Sequence, residues 1–128
     1  MKTVAALITV LALVGPLTAQ EAKVNPLLSK DLLGIAGKEA VMVTVEYPPA
    51  GSSSKHRHNA HTFVYVLEGS VIMQAGDGKP VTLGPGQTFY ESPDDIHTVS
   101  KNASSSHPAK FLVFFVKDKG APSTVPMK

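Results

Sequence analysis

Hydrophobic and polar residues alternate along most of the chain after residue 40, with the period of two that is typical of half-buried β-strands. Residues 41–47 show this pattern most clearly, since valine occupies positions 41, 43 and 45. Six further runs with strand character follow at short intervals, separated by glycine-rich or proline-containing turns. They comprise residues 62–68, 70–75, 79–83, 87–91, 96–100 and 109–117. With a short strand at 55–58, about eight strands follow one another, which predicts an all-β sandwich or barrel rather than an α/β fold.

The strands delimit a barrel domain at residues 39–118, with a segment on each side of it. Residues 20–38 form an N-terminal segment that we expect to pack on the barrel, and within it only residues 25–35 could hold a helical turn. Residues 119–128 contain two prolines and no periodicity, which predicts a flexible C-terminal tail.

The first 19 residues have the organisation of a secretory signal peptide. Lys2 precedes an unbroken apolar run at 4–14, a Gly-Pro pair then breaks any helix, and Ala19 offers a small residue for cleavage. Eleven apolar residues are well short of the roughly 20 that span a bilayer, although an uncleaved membrane anchor is the alternative. The leader therefore predicts a secreted or periplasmic protein with no stable membrane span after cleavage.

Composition narrows the function classes. A chain of 128 residues has room for one domain, and an apolar fraction of 43% is too high for a disordered chain. The 12 basic and 10 acidic residues form no basic cluster, so we expect no nucleic-acid partner. The lack of cysteine excludes disulfides, zinc ribbons, iron–sulfur ligation and thiol nucleophiles. Five histidines, four of them within residues 56–97, are the compositional anomaly.

His56 and His58 are separated by one residue on a predicted strand. Residues two apart project to the same face of a strand, so the two imidazoles could share one metal ion. Neutral imidazole is a common ligand for iron, manganese, nickel, copper and zinc alike. The H-x-H spacing alone is equally compatible with two surface histidines on an edge strand.

The surroundings of these histidines resemble the two sequence motifs of the cupin superfamily, over residues 41–116. In the first motif, His56-Arg-His58 is followed by Phe-Val-Tyr-Val-Leu-Glu and the turn glycine Gly69. In the second, Gly86 precedes His97 by eleven positions. The resemblance implies a single-domain cupin-type double-stranded β-helix, or jelly-roll barrel. It also implies that His56, His58 and His97 converge inside the barrel on one divalent transition metal.

The chain departs from the cupin motifs in ways that bear on the site. The resemblance places a ligand glutamate seven residues before Gly69, where this chain has Thr62, and a hydroxyl is a much poorer ligand than a carboxylate. Ser92 and Asp94 replace the proline and glycine of the second motif, with Pro93 between them.

His61 immediately precedes Thr62 and is the candidate for a substitute fourth ligand, although strand alternation points it away from the face of Thr62. His107 matches neither motif and is interpreted as a solvated loop residue. Glu68 is interpreted as solvent-facing, while Tyr90 and Glu91 either reach the mouth of the pocket or are ordinary sheet residues.

The three-histidine set resembles the sites of thiol dioxygenases and β-diketone-cleaving cupins, which also lack the glutamate. That likeness implies open coordination positions for substrate and oxygen. One hypothesis is therefore a dioxygenase-like or isomerase-like activity on a small molecule. The alternatives are a non-catalytic barrel that binds a metal or small molecule, and a structural barrel without metal.

The run at 111–116 is apolar at every position, so alternation does not distinguish an inner from an outer face. Either both faces of this strand are covered within the monomer, as in a central strand beneath the N-terminal segment, or one face meets a second copy. We expect a homodimer that uses this strand.

Overall fold

The computed structural model describes residues 21–128, so the predicted signal peptide lies outside the described residues. Within this range the chain forms eleven β-strands and no helix. No helix in the described part has the length and hydropathy needed to cross a membrane. The strands are β1 Lys23–Asp31, β2 Lys38–Tyr47, β3 Ser52–Ser53, β4 His56–Arg57, β5 His61–Glu68, β6 Val71–Ala75, β7 Val81–Leu83, β8 Thr88–Glu91, β9 Ile96–Asn102, β10 Ala109–Asp118 and β11 Val125–Pro126.

Two antiparallel sheets face each other, which confirms the predicted all-β jelly-roll class. The first sheet has the order β1-β2-β10-β5-β8, and the second has the order β11-β4-β9-β6-β7, with β3 paired to β9. Strands that are distant in sequence are neighbours in both sheets. Residues from β4, β8 and β9 can therefore meet between the sheets.

The core lies between the sheets and follows the period-two pattern of the sequence. On β5 every second residue from Thr62 to Val66 is buried, and the residues between them are exposed. On β10, Phe111, Val113 and Phe115 are buried, whereas the intervening residues are only partly buried. Burial of side chains of this size stabilises the fold by about 1.5–3 kcal/mol each.

The N-terminal segment differs from its prediction. Where the sequence leaves room for a helical turn at 25–35, the structure has the edge strand β1, paired antiparallel with β2. Gly34 and Gly37, both with positive φ, lie in the connection that returns the chain to β2. The pairing register shifts between Pro26 and Leu28, as expected of a proline in an edge strand. Backbone pairing with β2 favours the strand even though nearly all β1 side chains are exposed.

The C-terminal segment, for which the sequence predicts a flexible tail, contains the short strand β11. Val125 and Pro126 of this strand pair with Arg57 and His56 of β4. The backbone N–H of Met127 donates to the backbone oxygen of Lys55 at 3.1 Å. These contacts are made by backbone groups, which explains why residue composition does not reveal them.

Candidate metal centre

Three histidines meet on the inner face of the second sheet. His56 on β4 and His97 on β9 are direct partners in the strand register, and His58 follows just beyond the end of β4. All three are buried. One ring nitrogen from each lies within 4.8 Å of the other two, so the group could hold a metal ion. The structure thus brings together the three histidines that the sequence singles out for ligation.

Hydrogen bonds fix which nitrogens face the centre. His56 Nδ1 lies 2.7 Å from the backbone oxygen of Ser54, and His58 Nδ1 lies 2.7 Å from that of Ser123. Because a carbonyl can only accept, each Nδ1 must carry the hydrogen in the neutral ring. The two Nε2 atoms are then unprotonated, and they face each other at 3.1 Å. Two lone pairs at that distance repel unless a proton or a cation lies between them.

Burial keeps two of the imidazoles neutral. It is the main reason that the pKa of His58 is lowered to about 4 and that of His97 to about 3, and the nearby His56 makes a smaller contribution to both shifts. Neither ring nitrogen of His97 has a hydrogen-bond partner within residues 21–128. A neutral imidazole with a free lone pair is the form that binds a transition metal.

Glu91 is the main addition that the structure makes to the site. It lies at the end of β8, its side chain is almost fully buried, and its Oε2 atom is 3.2 Å from His97 Nδ1 and 3.7 Å from His58 Nε2. Burial raises its pKa to about 7, with a smaller contribution from Asp95. The sequence leaves Glu91 as either a pocket-mouth or an ordinary sheet residue. Strand alternation could have identified it: Thr88 and Tyr90 point outward on β8, so Glu91, one residue after Tyr90, points inward.

Thr62 and His61 occupy opposite faces of β5. Thr62 is fully buried, and its hydroxyl donates to the backbone oxygen of Ala60 at 3.3 Å. His61 is exposed, with Nδ1 2.7 Å from the Tyr90 hydroxyl on the outer face of the sheet. The structure therefore does not bring His61 to the three-histidine group. His107 is an exposed loop residue.

The histidines and Glu91 line a cavity of about 620 Å³ between the sheets. Sites for small molecules commonly have volumes of about 300–1,000 Å³. Tyr47, Ser53 and Ser100 also line this space, and the Tyr47 hydroxyl lies 2.7 Å from the hydroxyls of both serines. Most of the remaining wall is apolar, with contributions from Val41, Val43, Val45, Val64, Phe111, Val113 and Phe115.

Several enzymes of known structure that catalyse different reactions share this architecture. The polyketide cyclase RemF from Streptomyces resistomycificus is 25% identical, with a TM-score of 0.63, over 86% of this chain and 75% of that one. Oxalate oxidase in complex with the substrate analogue glycolate is 20% identical, with a TM-score of 0.65, over 84% and 56%. The lyase DddQ from Ruegeria pomeroyi is 19% identical, with a TM-score of 0.60, over 69% and 43%. This chain thus spans about half the length of the last two proteins.

Comparison of the sequence alone identifies the family of the chain. No curated protein sequence matches the chain. The family model described as a cupin domain matches residues 43–115, which include all three clustered histidines and Glu91. This match covers more than half of the chain and agrees with the two-sheet barrel, so the protein belongs to the cupin family.

Proposed function

We propose that the protein binds one divalent transition metal through His56, His58 and His97 and presents it to a small molecule in the apolar cavity. The observation that carries this proposal is the pair of carbonyl-anchored imidazoles whose unprotonated Nε2 atoms face each other at 3.1 Å. A cation between them would remove the repulsion and use the two lone pairs that face each other. Histidine ligands suit iron, manganese, nickel, copper and zinc, so the ligand set leaves the choice of metal open.

The cavity wall indicates the kind of molecule that would bind. Its apolar residues favour a small, largely apolar ligand. The Tyr47, Ser53 and Ser100 hydroxyls could bind one polar group of that ligand. The bound metal would act as a Lewis acid and orient the ligand. The protein itself would position the ligand and surround it with largely apolar side chains.

Removal of His97 tests the metal site. The wild-type protein should carry about one metal per chain, and its melting temperature should fall when a chelator removes that metal, because ligand binding stabilises the folded state by mass action. His97→Ala should lose the metal and with it the response to chelator. His107→Ala is the matched control, since His107 is exposed, and it should behave as the wild type.

Equal metal content in the wild type and His97→Ala, together with equal melting with and without chelator, would contradict the metal proposal. It would favour the structural barrel without metal, in which the imidazoles are ordinary core residues.

Catalysis is a separate question from metal binding. The similar structures include a lyase, a cyclase and an oxidase, so the fold is compatible with several reactions. An iron-loaded sample should be offered thiols, diketones and flavonols in air while oxygen uptake is measured. Uptake with one class would support a dioxygenase-like activity. Binding of these molecules without turnover would support the non-catalytic binding module.

We also propose that the protein is exported and functions in the periplasm or outside the cell, on the basis of the leader pattern in the sequence. N-terminal sequencing of protein from its native source should find a start near Gln20. An intact Met1 on a cytoplasmic protein would contradict export.

A further inference from the structure

We infer that Glu91 is a fourth ligand of the metal, supplied from β8 to the three histidines. This inference rests on the proposed metal function and deepens it. A Glu91 ligand would add one negative charge and an oxygen atom to the site. As metal ligands the three histidines are neutral, and Thr62 has no carboxylate to supply either.

The distances around the Glu91 carboxylate match those between ligands on one metal. Nitrogen and oxygen ligands lie about 2.0–2.2 Å from a transition metal, so two neighbouring ligand atoms are separated by about 3.0–3.6 Å. Oε2 of Glu91 lies 3.2 Å from Nδ1 of His97, which is within this range, and 3.7 Å from Nε2 of His58, which is just above it. A small rotation of the carboxylate would place an oxygen on the same centre as both imidazoles.

The carboxylate has no other partner in the described part of the chain. Only 1% of Glu91 is exposed, and neither of its oxygens makes a hydrogen bond there. Its contact with His97 is short enough for a hydrogen bond but lacks the required geometry, since His97 Nδ1 is also unpaired. An unpaired buried carboxylate is costly, and metal coordination is one of the arrangements that proteins use to offset this cost.

The strand register explains how β8 can supply this carboxylate. Glu91 and Thr62 are direct partners across the β8–β5 pair, and both side chains point inward. Side chains of such a pair start about 4.5–5.5 Å apart, so a carboxylate on either strand reaches the same volume. The side chain of Thr62 is short, and its hydroxyl donates to the backbone oxygen of Ala60. The Glu91 carboxylate can therefore occupy that volume. His61 cannot compete for it, because it lies on the outer face beside Tyr90.

The test compares Co²⁺ binding to the wild type, Glu91→Gln and Glu68→Gln, by calorimetry and by the visible spectrum of the bound Co²⁺. Glu91→Gln should weaken binding at least about tenfold, because even a group that only orients a ligand contributes about 10–100-fold. Its Co²⁺ spectrum should also change, since one ligand is lost. Glu68→Gln is the matched control, because Glu68 is exposed on the same strand as Thr62.

A second, independent test moves the carboxylate from position 91 on β8 to position 62 on β5. Glu91→Thr should weaken Co²⁺ binding as Glu91→Gln does. The double variant Thr62→Glu/Glu91→Thr exchanges the two side chains, so their total volume is unchanged, and it should recover most of the Co²⁺ affinity. A structure of the Co²⁺-loaded wild type should show a Glu91 oxygen within about 2.3 Å of the metal.

Three results would overturn the inference. In the first, Glu91→Gln binds Co²⁺ with wild-type affinity and spectrum, which leaves a three-histidine site intact. In the second, affinity falls but the spectrum is unchanged and the Glu91 oxygens lie beyond about 3 Å from the metal, which makes Glu91 a positioning residue for His97. In the third, the wild type binds no metal at all, which overturns the proposed function as well.

Discussion

His58 is held in place by the last segment of the chain: its Nδ1 donates to the backbone oxygen of Ser123, 2.7 Å away and 65 positions later in the sequence. Val125 and Pro126 then pair with β4, which carries His56. The tail therefore contributes to the orientation of two of the three clustered imidazoles. A hydrogen bond to the outer nitrogen of a metal-binding histidine fixes both its tautomer and its ring orientation.

Deletion of residues 122–128 should therefore weaken metal binding while the barrel stays folded. We expect a loss of about 10–100-fold in Co²⁺ affinity, the usual effect when the group that orients a ligand is removed. Ser123→Ala is the control, because it keeps the backbone oxygen, and it should bind as the wild type does. Wild-type affinity in the truncated protein, measured by calorimetry, would show that the tail does not orient His58.

The stability of the metal-free protein should depend on pH in a way set by His58, His97 and Glu91. The two histidines have folded pKa values of about 4 and 3 against 6.5 for the free side chain, so their contribution is lost as pH falls below about 6.5. Glu91 has a folded pKa of about 7 against 4.5, so its contribution is lost as pH rises from about 4.5 to 7.

Between pH 4.5 and 6.5 the two histidines together outweigh Glu91, so the free energy of unfolding should rise there by up to roughly 1.4 kcal/mol per pH unit and level off near pH 7. Urea unfolding in the presence of a chelator measures this. His97→Gln should flatten the rise, and Glu91→Gln should steepen it, because the opposing contribution of Glu91 is lost. A stability that does not change between pH 4.5 and 6.5 would be inconsistent with buried neutral imidazoles.

Gly69 should tolerate no side chain. Its φ is +70°, and an added Cβ would lie 2.4 Å from the backbone oxygen of Pro108 and 2.9 Å from the Cα of Ala109. Gly76 is a matched comparison, because its φ is +53° and nothing lies within 4 Å of an added Cβ. Gly76→Ala should cost about 1–2 kcal/mol for the left-handed backbone alone. Gly69→Ala should cost clearly more in urea unfolding, and equal costs would mean that the backbone near Pro108 relaxes freely.

We expect a homodimer that uses the outer face of the first sheet, which contains β10, β5 and β8. The outward residues of β10 are only partly buried, and Phe114 there pairs with Phe63 of β5, with ring centroids 6.0 Å apart. Phe63, Tyr65 and Tyr90 remain 46–47% exposed, which gives an aromatic surface that monomers seldom leave open. Light scattering should give a dimer mass for the wild type and a monomer mass for Phe114→Glu. Val81→Lys, in the other sheet, should stay dimeric. A monomeric wild type at micromolar concentration would contradict the prediction.

The sequence predicts the barrel because the pattern that identifies it is local. Alternation on β5 and β10 marks the inner residues directly, and the parity of His56 and His58 predicts that they share a face. Strand β10 is central in its sheet, as one alternative for residues 111–116 anticipates. The N-terminal segment, however, does not cover this strand but pairs at the edge, beside β2.

The parts that the sequence does not predict depend on non-local register or on backbone groups. Glu91 reaches the histidines because β8 pairs with β5 so that position 91 lies opposite Thr62, and no local pattern specifies that register. Ser123 acts through its carbonyl, which every residue has. Strand β1 is stabilised by its ladder with β2 rather than by a buried face, so its hydrophobic pattern carries no signal.

The pairing of the tail with β4 has a practical consequence for purification. The backbone N–H of Met127 donates to the backbone oxygen of Lys55, one residue before His56, so a segment fused after Lys128 begins close to β4. A polyhistidine tag at that end would bring six or so extra imidazoles close to the metal centre, where they would compete for the ion and add to any measured metal content. Metal analysis should therefore use untagged protein, or protein from which the tag has been cleaved before the metal is loaded.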